Sequence, residues 1–412
     1  MKNFIAHTDE TRTEMLKSIS YSSVEDLYKQ VPVTFKDFEM ENPLSELDTQ
    51  KRVKSLARKN STEYAKFVGG GVYNKFIPAG VNYLAQRMEF LTAYTPYQPE
   101  ISQGTLQIIY EYQTMISRLT GMDIANASMY DGGSACAEAV LMAHRIARGK
   151  RSKALVSNKL NPEYKEVVKT YCWAQDIPVE WFDELPTDLS DYCCVLIQNP
   201  DYYGELYDIK KLDTILIVCA NLSALSVIEP PKEADIVVGD IQPLGISMNF
   251  GGPHAGYMAC KEAYMRQIPG RLVGATVDAD GNTAYTLTIQ TREQHIKREK
   301  ATSNICSNQS LIALSATLYL SLMGEKGFRQ TGVISANLAH KLSKMLADKG
   351  IKTLNKNFFN EFVIEVDNAD AVLIKLKQAN IIGGIKLDNT HILVCTTEMN
   401  SEDELCDYVN AI

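Results

Sequence analysis

A chain of 412 residues with a formal net charge of -8, 45% hydrophobic and 22% charged residues has the make-up of an ordinary globular protein. The acidic balance excludes a nucleic-acid binder, because there is no basic excess to displace counterions from phosphates. The apolar runs are strand-sized, as in Ile215–Ala220, so no membrane span is expected, and the opening Met1-Lys-Asn-Phe4 lacks a signal-peptide core; the default setting is cytoplasmic. The nine cysteines form no Cys-x-x-Cys pair and the six histidines no His-Glu-x-x-His spacing, which implies reduced, mostly buried thiols and no metal site.

In chain order, residues 1–60 are expected to form a helical arm. Thr11–Glu14 and Ser22–Glu25 fit the capping box, and Pro32 and Pro43 interrupt the pattern. Loops follow at Gly69-Gly-Gly71 and Pro78-Ala-Gly80. Pro96 and Pro99 hold the stretch from Phe90 to Glu100 extended. Leu106, Ile109, Tyr112, Ile116 and Leu119 recur at helical spacing, and Gly121 supplies a left-handed stop.

Between about 125 and 260, apolar runs at Ala154–Ser157, Cys193–Gln198, Ile215–Ala220 and Ile236–Val238 alternate with helix-like stretches. Strands apolar on both faces and separated by helices predict an α/β fold with a mostly parallel sheet covered on both sides. Residues 290–325 read as one long helical region ending near Gly324. The last stretch reads helix, strand Phe362–Val366, helix, turn Gly383-Gly384, strand His391–Thr396, helix, a small α+β domain. The expected division is an arm over 1–60, a large domain over 61–328 and a small domain over 329–412.

Four segments could carry chemistry. Gly132-Gly133-Ser134 opens an Ala-rich helix and could cradle an anion, although a turn with an N-cap is the commoner meaning of such a sequence. Gln198–Gly204 follows a strand, where ligands of open α/β sheets gather. Asp240–Gly256 is glycine-rich. Thr291–Gln309 packs both charge signs around His295, a pattern that usually marks a solvated helix face; Arg292 or His295 as a substrate ligand is the less favoured alternative.

Together these stretches resemble the glycine dehydrogenase (decarboxylating) family, the P-protein of the glycine cleavage system, in its N-terminal half or separate subunit 1. The resemblance is carried by Phe76–Gly80, Ala93–Gly104, Ala127–Gly132, Asn249–His254 and Thr291–Cys306. It implies the fold-type I architecture of pyridoxal-phosphate (PLP) enzymes. Such enzymes need a lysine to condense with the cofactor and an acid to pair with its ring nitrogen. The resemblance implies that Gln242 and Pro243 stand where the cofactor-bearing half has His-Lys, and that Val218 stands at the acidic position.

The family therefore implies that no catalytic residue and no cofactor belong to this chain alone, with PLP held on subunit 2. Glycine would lose carbon dioxide and its aminomethyl group would pass to the lipoyl arm of the H-protein, in an (αβ)2 assembly. Tyr94, Tyr97, Gln98 and Glu100 are the candidates for completing the pocket; a purely structural interface loop competes closely. Gly132, Gly133 and Ser134 would be a relic. Two rival readings are a self-sufficient PLP enzyme using another lysine such as Lys261, and a non-catalytic scaffold of subunit 2.

Overall fold

The computed structural model describes residues 7–31, 40–60 and 63–412, and the chain divides into two compact units at Thr62/Glu63. Pro32 and the first six residues lie outside the described part.

The first unit holds helices α1 (Asp9–Ser18) and α2 (Glu46–Ala57), neither of which buries a residue. The expected caps are shifted. Thr8, not Thr11, caps α1, its hydroxyl accepting from Thr11 N, so that Asp9 and Glu10 fall in the first turn where the helix dipole favours acids. At Ser22 the roles are reversed. The Asp26 carboxylate accepts from Ser22 N, Ser22 Oγ and Ser23 N, and Glu25 opens only a short 3-10 turn.

The second unit runs β1 (Ala65–Lys66), α3 (Ala79–Ala85), α4 (Gln103–Thr120), β2 (Ile124–Ala125), α5 (Gly132–Ala147), β3 (Lys153–Ser157), α6 (Pro162–Trp173) and β4 (Val179–Phe182). It continues through β5 (Tyr192–Asn199), β6 (Ile215–Ala220), β7 (Ile236–Asp240), β8 (Gly256–Cys260), the hairpin β9 (Leu272–Val277) and β10 (Thr283–Thr288), and the single turn α7 (Gln294–Lys297). It closes with α8 (Ser310–Asp348), β11 (Lys352–Thr353), β12 (Glu361–Glu365), α9 (Ala369–Gln378), β13 (Ile381–Ile382), β14 (Ile385–Lys386), β15 (His391–Cys395) and α10 (Glu402–Ala411).

Seven strands form the main sheet in the order β2-β8-β7-β6-β5-β3-β4. β4, β3, β5, β6 and β7 are parallel, and β8 runs antiparallel to both of its neighbours. Apolar side chains on alternate residues feed two cores, one on each face, so the central strands have no polar side to show to water. α4 presents Leu106, Ile109, Tyr112 and Ile116 inward and ends at Gly121, whose φ of 70° closes the cap to Ser117 O.

Residues 290–309 are not the expected long helix. They form short turns held by side-chain hydrogen bonds, and the helix begins at Ser310, then runs past a break at Gly324 (φ 60°) to Asp348. Its second half packs Leu338, Leu342 and Leu346 against the antiparallel sheet β11-β12-β15-β14. Each of those side chains, almost or wholly withdrawn from water, contributes roughly 1.5–3 kcal/mol. This core recruits the start of the unit as well. β1 pairs in parallel with β13, Cys395 N donates to Phe67 O, and the Phe67 ring packs on Tyr408.

Candidate functional site

The carboxyl ends of β6 and β7 and the start of α5 converge on one place, where open α/β sheets bind ligands. Val218 sits mid-strand in β6, fully buried, in register with Ile197 and Val237. Gln242 is also fully buried. Its Oε1 accepts from Tyr73 N, and its Nε2 donates to Tyr73 O and Ile246 O. Pro243 borders a cavity of about 30 Å3, room for little more than a water, shared with Tyr73, Tyr164, Gln198 and Asp240.

The start of α5 is where a phosphate would be cradled. Here the chain's own acids occupy it. Asp131 Oδ1 accepts from Ser134 N at 2.7 Å and from Ser134 Oγ at 2.9 Å, and Asp240 Oδ2 accepts from Gly132 N at 3.2 Å. The Tyr164 hydroxyl lies against Gly132, 2.4 Å from where a Cβ would stand, so only glycine fits. Burial pushes the Asp240 carboxyl up to about 7, with Asp131 adding to the shift. A phosphate dianion here would face two carboxylates with the nearest donors already used, and nothing at Pro243 or Val218 would bind the rest of the cofactor. The residues present do not fit PLP.

Lys261 offers no substitute. It follows β8, which is antiparallel to β7, so it lies at the opposite end of the strands from Pro243, where its ammonium pairs with Asp235 at 3.1 Å. Five residues of β7 separate the two ends, roughly 17 Å.

A second feature opens where the stretch 90–94 meets the start of α8. A groove of about 720 Å3 is lined by Leu91, Tyr94, Tyr130, Cys306, Asn308 and Leu311, among others. Of the four candidates in the Tyr94–Glu100 stretch, only Tyr94 lines it, and its side chain is 87% exposed. Tyr97 instead turns its ring toward His295, 5.3 Å away, and toward the Arg271 guanidinium at 5.8 Å. Gln98 and Glu100 are exposed at a 3-10 turn that begins at Pro99.

Arg271 organises this wall. Its buried guanidinium donates to Cys306 O at 3.1 Å, Asn308 Oδ1 at 3.2 Å, and Ser307 Oγ and Thr95 Oγ1 at 3.4 Å. Tyr130 OH accepts from Cys306 N at 2.9 Å. Nothing in the isolated Pro269-Gly-Arg271 marks the arginine in sequence, and the Cys306–Gln309 stretch was visible only as the tail of a charged run. Arg292 is buried and donates to Ile268 O and Gly270 O, which makes it a brace for the backbone entering β9. His295 lies 3.7 Å from the Glu293 carboxylate. Among the described residues no group of His, Cys, Asp or Glu could hold a metal, and no helix is long and apolar enough to cross a membrane.

The sheet order, the C-terminal sheet and the site at the ends of β6 and β7 define the fold of PLP-dependent fold-type I enzymes. Solved neighbours agree on that fold. A Lactobacillus brevis glutamate decarboxylase superimposes with a TM-score of 0.66 at 13% identity over 95% of each chain. A Thermus thermophilus aspartate aminotransferase gives 0.56 at 12% identity over 84% of this chain and 97% of its own.

The sequence matches the glycine cleavage system P-protein family over residues 2–412, and the chain belongs to that family. It is 44% identical to a Geobacillus thermodenitrificans protein named probable glycine dehydrogenase (decarboxylating) subunit 1, across 100% of this chain and 99% of the relative. A Carboxydothermus hydrogenoformans protein of the same name is 41% identical, with 99% of each chain covered. An inhibitor-bound crystal structure of glycine decarboxylase (P-protein) superimposes with a TM-score of 0.86 at 38% identity, covering 100% of this chain and 99% of that one.

Proposed function

We propose that this chain is the cofactor-free subunit of a glycine decarboxylase and acts only with a subunit 2 that carries PLP. The observation that carries the reading is the self-occupied site: Asp131 and Asp240 take the Gly132 and Ser134 N–H groups at the start of α5, with Gln242-Pro243 beside them. Decarboxylation of glycine and transfer of the aminomethyl group to the lipoyl arm of the H-protein then draw on the partner's cofactor, and an (αβ)2 assembly fits the family.

This chain's part is to complete and enclose the partner's pocket. The groove beside Tyr94 is the face offered for that. Leu91, Tyr94 and Leu311 line it while exposed, an apolar display that suits burial by a partner. Tyr94, with Tyr97, Gln98 and Glu100 on the adjoining loop, supplies hydroxyl, amide and carboxylate groups that can orient a small amino acid and exclude water. The stiffness of that loop comes from Pro96, Pro99 and the Arg271 brace.

The test is glycine-dependent carbon dioxide exchange with H-protein, using this chain alone, subunit 2 alone, and both. Activity only in the mixture, with PLP on subunit 2, is the expected result. Activity from this chain alone would return PLP to it, and full activity from subunit 2 alone would leave this chain a scaffold.

A further inference from the structure

A second groove, also of about 720 Å3, lies between the loop after β5 and the C-terminal sheet, and shares no lining residue with the groove beside Tyr94. Its walls are fastened to each other. Leu206 N donates to Asn357 O and Asn355 Nδ2 to Tyr203 O, both at 2.9 Å, and the Glu205 carboxylate accepts from Lys356 N and Asn357 N at 3.1 Å. The hollow is thus a built feature of the fold, of the size that holds small molecules.

Its hydrogen-bonding capacity is one-sided. The three carboxylates in the wall are already committed. Asp201 accepts from Tyr203 N, Glu205 N and the Tyr207 hydroxyl; Glu205 is bound as above; Asp388 accepts from Thr390 N, His391 N and the His391 ring. The cations are less committed. Lys356 has no partner for its ammonium among the described residues, and Lys159 spends one N–H on Tyr207 OH at 2.7 Å. Lys386 pairs with Asp370. The three carboxylates keep their charge and balance the three lysines, so the wall is close to neutral, and the hydrogen-bonding capacity left over is the spare ammonium N–H groups of Lys159 and Lys356. Beside them stand the half-exposed rings of Tyr202 and Tyr203, 5.5 Å apart and edge to face, with Leu354 and Leu387.

Spare ammonium donors next to aromatic and aliphatic surface complement a flat-ringed molecule that carries a strong anion. We infer that this groove binds a small aromatic phosphate of mononucleotide size, its phosphate on Lys159 and Lys356 and its ring against Tyr202 and Tyr203.

Isothermal titration of the full chain with AMP tests this, with adenosine and inorganic phosphate as separate titrants. Saturable 1:1 binding of AMP is expected, tighter than either half-molecule. Lys356→Ala and Lys159→Ala should each weaken it about tenfold, the loss of one charge-assisted hydrogen bond, while Lys356→Arg retains it. Both lysines are at least partly exposed, and circular dichroism of each variant checks that the fold is intact. The inference is overturned if AMP shows no saturable binding, or if both alanine variants bind it as the parent does. Adenosine binding as tightly as AMP removes the anion from the assignment, and phosphate binding as tightly removes the ring; either result also overturns it.

Discussion

The side-chain amide of Gln242 clasps the backbone of Tyr73 in both directions: Oε1 accepts from Tyr73 N and Nε2 donates to Tyr73 O, each at 2.9 Å. This pairing copies one rung of an antiparallel ladder and ties the turn after β7 to a segment 169 residues earlier. Gln242 thus holds two distant parts of the unit together.

Removing the clasp should be costly. Gln242→Ala strands buried N–H and C=O groups of Tyr73 and Ile246, each worth about 1–3 kcal/mol when left unpaired. A loss of about 2–4 kcal/mol in urea-measured stability is expected. The companion variant Gln242→His/Pro243→Lys installs the His-Lys pair that the family resemblance implies for the cofactor-bearing half, yet Asp131, Asp240 and Tyr164 still fill the start of α5. It should remain colourless after incubation with PLP, borohydride and gel filtration; a fixed cofactor band would falsify the account of the blocked site.

Two acids, one buried and one half-buried at the surface, set a pH dependence. Glu361, buried, accepts from Gly70 N and Tyr73 OH, and desolvation raises its pKa from 4.5 to about 7; Asp240 rises from 3.8 to about 7 for the same reason. A carboxyl with a raised folded-state pKa keeps its proton in the folded chain after the unfolded chain has lost it. Stability therefore falls as pH climbs from about 4–5 to about 7 and levels off above. Across that window the two groups cost on the order of 3 kcal/mol (Glu361) and 4 kcal/mol (Asp240) at most. Glu361→Gln keeps an acceptor and a donor in place but cannot titrate. Denaturant midpoints measured from pH 5 to 8 should decline less steeply in this variant, and an unchanged slope would remove Glu361 from the explanation.

Tyr94 separates folding from function. At 87% exposure its ring supports little within this chain, so Tyr94→Ala should change stability by no more than about 0.5 kcal/mol. If the groove completes a partner's pocket, the same variant mixed with subunit 2 and H-protein should lower carbon dioxide exchange by about tenfold or more. Parent-level exchange would take Tyr94 out of the pocket.

The sequence foretold what repeats and missed what does not. Ile215–Ala220 was bounded to the residue because an uninterrupted apolar run leaves no choice of face, and Gly121 ended α4 because only a left-handed residue closes that cap. The α5 start was visible as Gly-Gly-Ser, but its blockage depends on Asp240 and Tyr164, which arrive from β7 and α6. The helix expected from 290 failed because Arg292 and Ser303 spend their side chains on distant groups, Ile268 O and Glu138, which local pattern cannot report. Tyr97 was grouped with Tyr94 because both stand on one proline-stiffened loop, yet the Arg271 guanidinium and the His295 ring draw it to another side.

Arg271 is the last test, because one buried guanidinium joins Thr95 to the Cys306–Asn308 strip. A lysine keeps the charge but has a single point of donation, so it cannot span both segments at once. Arg271→Lys is expected to lower stability by about 1–3 kcal/mol, since Cys306 O and Asn308 Oδ1 lose their donors. With subunit 2, the loosened wall should cut the maximal exchange rate by about tenfold at temperatures where the variant is fully folded and still co-elutes with its partner. Added guanidinium at millimolar concentration should restore part of that rate by refilling the vacated position. A variant that exchanges at the parent rate, or one that loses only its partner affinity, would show that the brace serves the fold or the interface and leaves the pocket unaffected.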